Sequence, residues 1–314
     1  MRAELTKKTK QNASSAAGAL RLSRASDRFA RIVITVLGWS AIIILVCICA
    51  FLFQGAFKAI SEVGLPNMIG GKSWFPTSAE AEFGFLPSEV GSIWVTAIAL
   101  LVCVPVGILA ALYLSEFACP RIKEVGKMMV EFIAAIPSVV FGLMGLTFLV
   151  PWIQRTLGLD SGLTALCAGI MVGFMCLPTI ISISEDAMHA VPDDLRQGAL
   201  ALGNTRWQTA VKIVLPAASS GIFAAIMLGL GRAIGETMIV LMLAGNAGII
   251  PHSPFLAART MTGTIAQETG EVVRGGLHYS VLFAMGLVLF AQTFVLNLIA
   301  GTLLDRQKRK WQTS

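Results

Sequence analysis

An arginine and a glutamate four residues apart sit inside an otherwise apolar stretch, Gly229-Leu230-Gly231-Arg232-Ala233-Ile234-Gly235-Glu236-Thr237-Met238. On a helix starting near residue 219, a rise of 1.5 Å per residue carries Arg232 about 20 Å along the axis, near the middle of a bilayer. Glu236 would then follow one turn later on the same face. A charge at that depth costs at least ~2.5–3.5 kcal/mol, so something must offset it. One explanation is a structural ion pair that clasps two helices. The other is an anion site, because a guanidinium offers a planar fork of donors to an oxyanion and stays charged when dehydrated. In that case Glu236 would orient Arg232 while the site is empty. It could also accept a hydrogen bond from an oxyanion that keeps a proton, and so disfavour one that is fully ionised.

Other reactive residue types offer little chemistry. The six cysteines (Cys47, Cys49, Cys103, Cys119, Cys167 and Cys176) show no CxxC spacing, and all but Cys119 lie in apolar runs, where cysteine packs as a small soft residue. His189, His252 and His278 are far apart and lie in no zinc-binding context, so no metal site and no catalytic residue is expected. Gly71-Lys72-Ser73 resembles the end of a nucleotide-gripping loop, but that pattern needs glycine where Pro66 stands. Any ATP hydrolysis must therefore come from a partner. Glu131 is expected at the start of a helix, as a helix-dipole contact in the first turn.

The connection at about 184–218 carries a second pattern. It reads Gln197-Gly198-Ala199, then Gly203, then Ile213-Val214-Leu215-Pro216. This spacing predicts a short helix, a glycine turn at Gly203-Asn204 and a second helix from about Thr205. Leu195, Ala199 and Leu202 mark an apolar face of the first, and Trp207, Val211 and Val214 that of the second. Two short helices along a membrane surface would form a docking knob.

The elements that position these residues follow from composition. Charged residues make up only 13% of the 314, mean hydropathy is +0.76, and a soluble domain carries about twice that charge. A soluble enzyme, a disordered chain and a disulfide scaffold are all excluded. Six apolar segments are long enough to span, at about 30–53, 92–114, 130–150, 162–183, 219–243 and 280–304, an all-α polytopic arrangement. Connections and tails on one side hold eighteen Lys and Arg and those on the other hold five, which places both termini in the cytoplasm. The net charge of +6 thus orients the protein and calls for no nucleic acid. The domain plan is a basic tail over 1–29, disordered or lying on headgroups, a membrane domain over 30–304 and a second basic tail over 305–314. The outer connections 54–91 and 244–279 are long enough to serve as binding surfaces.

The Gly-x9-Ile-x-Leu-Pro pattern resembles the coupling loop of ABC importer permeases, which docks into the ATP-hydrolysing subunit. The family pattern opens with Glu-Ala-Ala where this chain has Gln197-Gly198-Ala199. Glu185, Asp186, Asp193 and Asp194 lie just upstream of the missing glutamate. The stretch around Arg232, with Thr237-Met238 after the glutamate, is similar to the PstC-type permeases of phosphate importers. So are Glu131-Phe132-Ile133-Ala134-Ala135-Ile136-Pro137-Ser138, Gly245-Asn246 and Gly275-Gly276-Leu277-His278.

The resemblance implies a type I ABC importer permease in a bacterial inner membrane. Arg232, Glu236 and Thr237 would lie on the substrate pathway, and Gln197, Gly198, Ala199, Gly203, Ile213, Leu215 and Pro216 would contact the ATPase. It implies a related permease (PstA-like), two ATPases (PstB-like) that bind ATP and Mg, and a periplasmic phosphate-binding protein (PstS-like). No cofactor is expected in this chain. The alternatives are a sulfate or molybdate permease and a proton-coupled secondary anion transporter using Glu236 as carrier. A sensor-adaptor role would be a second duty.

Overall fold

The structure is a computed structural model that describes the backbone of residues 2–312 and the side chains of residues 30–302. The chain divides into two compact units, Met1–Gln54 and Gly55–Ser314. Helix α1 (Arg2–Glu62) runs through both. Its backbone is helical through the tail expected to be disordered, where alanine is common and proline absent. The side chains of that tail, and those of the basic C-terminal tail, lie outside the described residues. From Ile32 to Phe53 the helix exposes large apolar side chains almost all round, as a span does towards lipid.

The second unit begins with α2 (Leu65–Gly70) and a two-residue hairpin, β1 (Trp74–Phe75) paired antiparallel with β2 (Glu82–Phe83). Then come α3 (Leu86–Leu112), ending in a π-helical turn Tyr113–Phe117, and α4 (Pro120–Ala135). Next are α5 (Ser138–Met144), a π turn Gly145–Leu149, and α6 (Val150–Leu157). Helix α7 spans Ala165–His189. The loop elements are α8 (Asp193–Ala201), α9 (Arg206–Thr209), a π turn Ala210–Val214 and α10 (Leu215–Ala217). The chain closes with α11 (Ser219–Ile234), α12 (Met238–Leu243), α13 (Met261–Glu268) and α14 (Leu277–Gln312).

Among the described residues five helices are long and apolar enough to cross a membrane, or six if Arg206–Ala217 and Ser219–Ile234, bent by 69°, form one span. Two expected segments need correction. The third span starts at Ser138, not near 130, because Pro137 forces Ile136 into extended backbone and ends α4. Glu131 therefore sits in the fourth turn of α4, not the first. The fifth segment is not one helix over 219–243, since it stops at Ile234 and restarts at Met238. Gly229, Gly231 and Gly235 crowd the break and weaken helix propensity there.

The main core lies between α3 and α7, with Val95, Ala99, Cys103, Ala168, Val172, Cys176 and Ile180 buried. Close approach of these two helices depends on glycine, because a Cβ on Gly169 would sit 2.6 Å from Cβ of Ile98. A second cluster (Ala111, Leu112, Met188, Val191, Ala210, Val214) fixes the connection after α7 to the ends of α3 and α7. A third, containing Trp74, Phe85, Met261 and Leu282, holds the outer connections on α14.

Candidate functional site

Arg232 lies in the last turn of α11, and its Nη1 donates to Thr179 Oγ1 on α7 at 2.9 Å. Glu236 lies in the break beyond it. Its Oε1 accepts from the backbone N–H of Met238 at 3.1 Å and of Ile239 at 3.2 Å, two of the donors that the start of α12 cannot satisfy internally. Its carbonyl accepts from Thr262 Oγ1 of α13 at 2.9 Å. Thr237 occupies the cap position of α12 and turns its hydroxyl to the Gly235 carbonyl.

The expected alignment of Arg232 and Glu236 on one helical face is thus corrected. Once the helix breaks, amides at a helix start attract the carboxylate as the half-charge at that end would. Among the described residues no ion pair joins the two. Arg232 is half-buried at the end of α11 with a neutral hydroxyl as partner, an arrangement able to receive an anion. A small thiol contact, Cys176 Sγ to the Gly229 carbonyl at 3.7 Å, ties the same stretch of α11 to α7.

The coupling segment forms the expected helical hairpin. Gly203 turns it with φ +88°, a conformation that side chains resist, and Thr205 and Gln208 close a reciprocal capping box at the start of α9. Of the residues expected to face the ATPase, Gln197, Gly198 and Gly203 are exposed, Ala199 packs inwards, and Ile213, Leu215 and Pro216 are half-buried. Leu195, Leu202 and Trp207 lie exposed on the outside of the hairpin, the Trp207 ring tilted against Phe117 at 6.1 Å between centroids. The upstream acids are mostly committed elsewhere. Buried Glu185 pairs with Lys123 at 2.8 Å and Lys127 at 2.6 Å, and Asp193 pairs with Arg196 at 3.0 Å. The bond to Glu185 raises the Lys127 pKa. Asp194 is exposed in the first turn of α8.

Two groupings had no local signal in the sequence. Arg196 bonds Glu116 from across the chain. On the outer face Glu268 accepts from Trp74 Nε1 at 2.9 Å, pairs with Arg259 at 2.5 Å and contacts His278 at 2.8 Å. These four residues line a cavity of about 710 Å³ between the two long outer connections. The decoy Gly71-Lys72-Ser73 leads into this outer hairpin, where Ser73 bridges Ile249.

Comparison with known proteins follows the same lines. Residues 103–310 match the binding-protein-dependent transport system inner membrane component family. The chain belongs to that family. Among relatives of this permease family, "Probable ABC transporter permease protein YqgH" of Bacillus subtilis is 40% identical over 75% of this chain and 76% of its own length. The phosphate transport system permease PstC of Mesorhizobium japonicum is 37% identical over 85% and 87%. Two solved structures share the permease fold at low identity. A bacterial alginate ABC transporter in complex with its periplasmic protein aligns with TM-score 0.63 at 16% identity, covering 88% of this chain and 94% of that one. The inward-facing MetNI methionine transporter aligns with TM-score 0.53 at 18% identity, covering 71% and 94%.

Proposed function

We propose that this chain is the permease subunit of an ATP-driven importer of inorganic phosphate in a bacterial inner membrane. Arg232 carries the reading: a guanidinium at membrane depth, held by the Thr179 hydroxyl and, among the described residues, by no carboxylate, is poised to pay its desolvation with a passing oxyanion. The phosphate transport permeases among the relatives supply the cargo. Glu236 fixes the start of α12 beside the break and presents a carboxylate oxygen to an oxyanion that retains a proton, while Thr237 flanks it.

The chain does no covalent chemistry. A related permease completes the pathway, two ATPases bind ATP and Mg, and a periplasmic binding protein delivers phosphate to the outer connections. The exposed apolar residues Leu195, Leu202 and Trp207, with Gln197, Gly198 and Gly203, form the surface that meets the ATPase.

Uptake of radiolabelled phosphate into vesicles carrying the complete complex tests this reading. ATP-dependent uptake that ignores excess sulfate, molybdate and a proton uncoupler is expected. Competition by sulfate or molybdate would reassign the cargo. Uptake that needs no ATP and collapses with the uncoupler would make the protein a secondary transporter.

A further inference from the structure

We propose that Arg196 is a positioning residue that fastens the coupling helix α8 to the cytoplasmic ends of α3 and α7, so that a displacement of α8 by the ATPase reaches Arg232. The proposal rests on the importer reading above, but not on which anion is carried.

A guanidinium has five N–H donors, and all five of Arg196 are engaged. Nε donates to Glu116 Oε2 at 3.3 Å and Nη2 to Glu116 Oε1 at 3.0 Å, a bidentate pair. Nη2 also donates to the Met188 carbonyl at 2.8 Å. Nη1 donates to the Val191 carbonyl at 2.5 Å and to Asp193 Oδ1 at 3.0 Å. Glu116 lies in the π turn that ends α3, and Met188 carries one of the last carbonyls of α7, which accepts from the Val191 N–H at 3.2 Å as well as from Arg196. One side chain of α8 thus ties together three elements at a point little exposed to water, with side-chain exposures of 17% for Arg196 and 11% for Glu116. Hydrogen bonding to Glu116 pushes the Arg196 pKa up. Lysine, with three donors and no plane, cannot reproduce it.

Helix α7 continues the connection. The stretch from Thr179 to Met188 is an unbroken helix about 13.5 Å long at 1.5 Å per residue. Pro178 precedes it, so the backbone bond that the proline omits lies on the other side of Thr179. Thr179 in turn accepts from Arg232. The side chain clamped at one end of this rod belongs to the coupling helix, and the one held at the other belongs to the last turn of α11.

The test uses the full complex, with its partner permease, ATPases and binding protein, in proteoliposomes. The quantity read is anion transported per ATP hydrolysed, measured with whichever of phosphate, sulfate or molybdate the wild type carries. A cargo other than phosphate would correct the importer reading without touching the clamp. Arg196→Lys is expected to assemble and hydrolyse ATP while the transported ratio falls about tenfold. Glu116→Gln, which keeps the shape and one acceptor, is expected to fall about threefold. A ratio within twofold of wild type in both variants overturns the proposal. So does failure of both to retain the ATPase, or parallel loss of transport and hydrolysis at constant ratio, since either would make Arg196 purely structural. A wild type that moves anion without ATP overturns both readings.

Discussion

The guanidinium of Arg232 rests on the hydroxyl of Thr179 at 2.9 Å, across the contact between α11 and α7. A hydrogen bond that involves a charged group is worth about 1.5–3 kcal/mol, roughly a factor of ten or more. Thr179→Val should therefore lower phosphate uptake about tenfold while the complex still assembles, and Thr179→Ser should restore most of it. Uptake of the valine variant equal to wild type would show that the guanidinium needs no hydroxyl to hold it.

Glu236 serves the start of α12, so the loss of its charge and the loss of its oxygen should differ. An amide oxygen still accepts from the Met238 and Ile239 N–H groups, whereas alanine leaves both without that acceptor. With a cap worth about 1 kcal/mol, Glu236→Ala should unfold about 2–4 °C lower than Glu236→Gln in a thermal assay of the complex. Uptake should fall in both variants, because both lack the carboxylate offered to the oxyanion. Equal thermal loss would return Glu236 to the role of charge partner for Arg232.

Gly203 stands at φ +88° with open space around it, so a side chain there meets backbone strain and no steric block. The left-handed region costs an ordinary residue about 1–2 kcal/mol, and asparagine tolerates it better. Gly203→Ile should reduce ATPase retained on co-purification about tenfold, and Gly203→Asn should reduce it much less. Unchanged retention in the isoleucine variant would remove the hairpin from the ATPase contact.

The parts of this arrangement encoded by neighbouring residues were legible before folding. The Gly203-Asn204 turn and the apolar faces on either side of it announce the hairpin, and apolar runs announce most of the spans. What was hidden depends on competition or on distance. Whether Glu236 stays with Arg232 or turns to amides depends on the helix breaking after three nearby glycines, a balance that periodicity does not reveal. The stretch 130–150 reads as one span until α4, with no buried residue of its own, is seen to end just before Pro137. Arg196 and Glu116 are eighty residues apart in sequence, and Glu268 gathers Trp74, Arg259 and His278 from separate segments, so nothing local marks either cluster.

Arg232→Gln in the reconstituted complex tests the central claim most directly. Glutamine keeps a polar side chain at this depth and removes the charge, so the complex should assemble and retain its ATPase. ATP-driven phosphate uptake should fall by about a hundredfold or more, as loss of a desolvated charge–oxyanion contact implies. Uptake within twofold of wild type in an assembled complex would contradict the account and make Arg232 a structural residue.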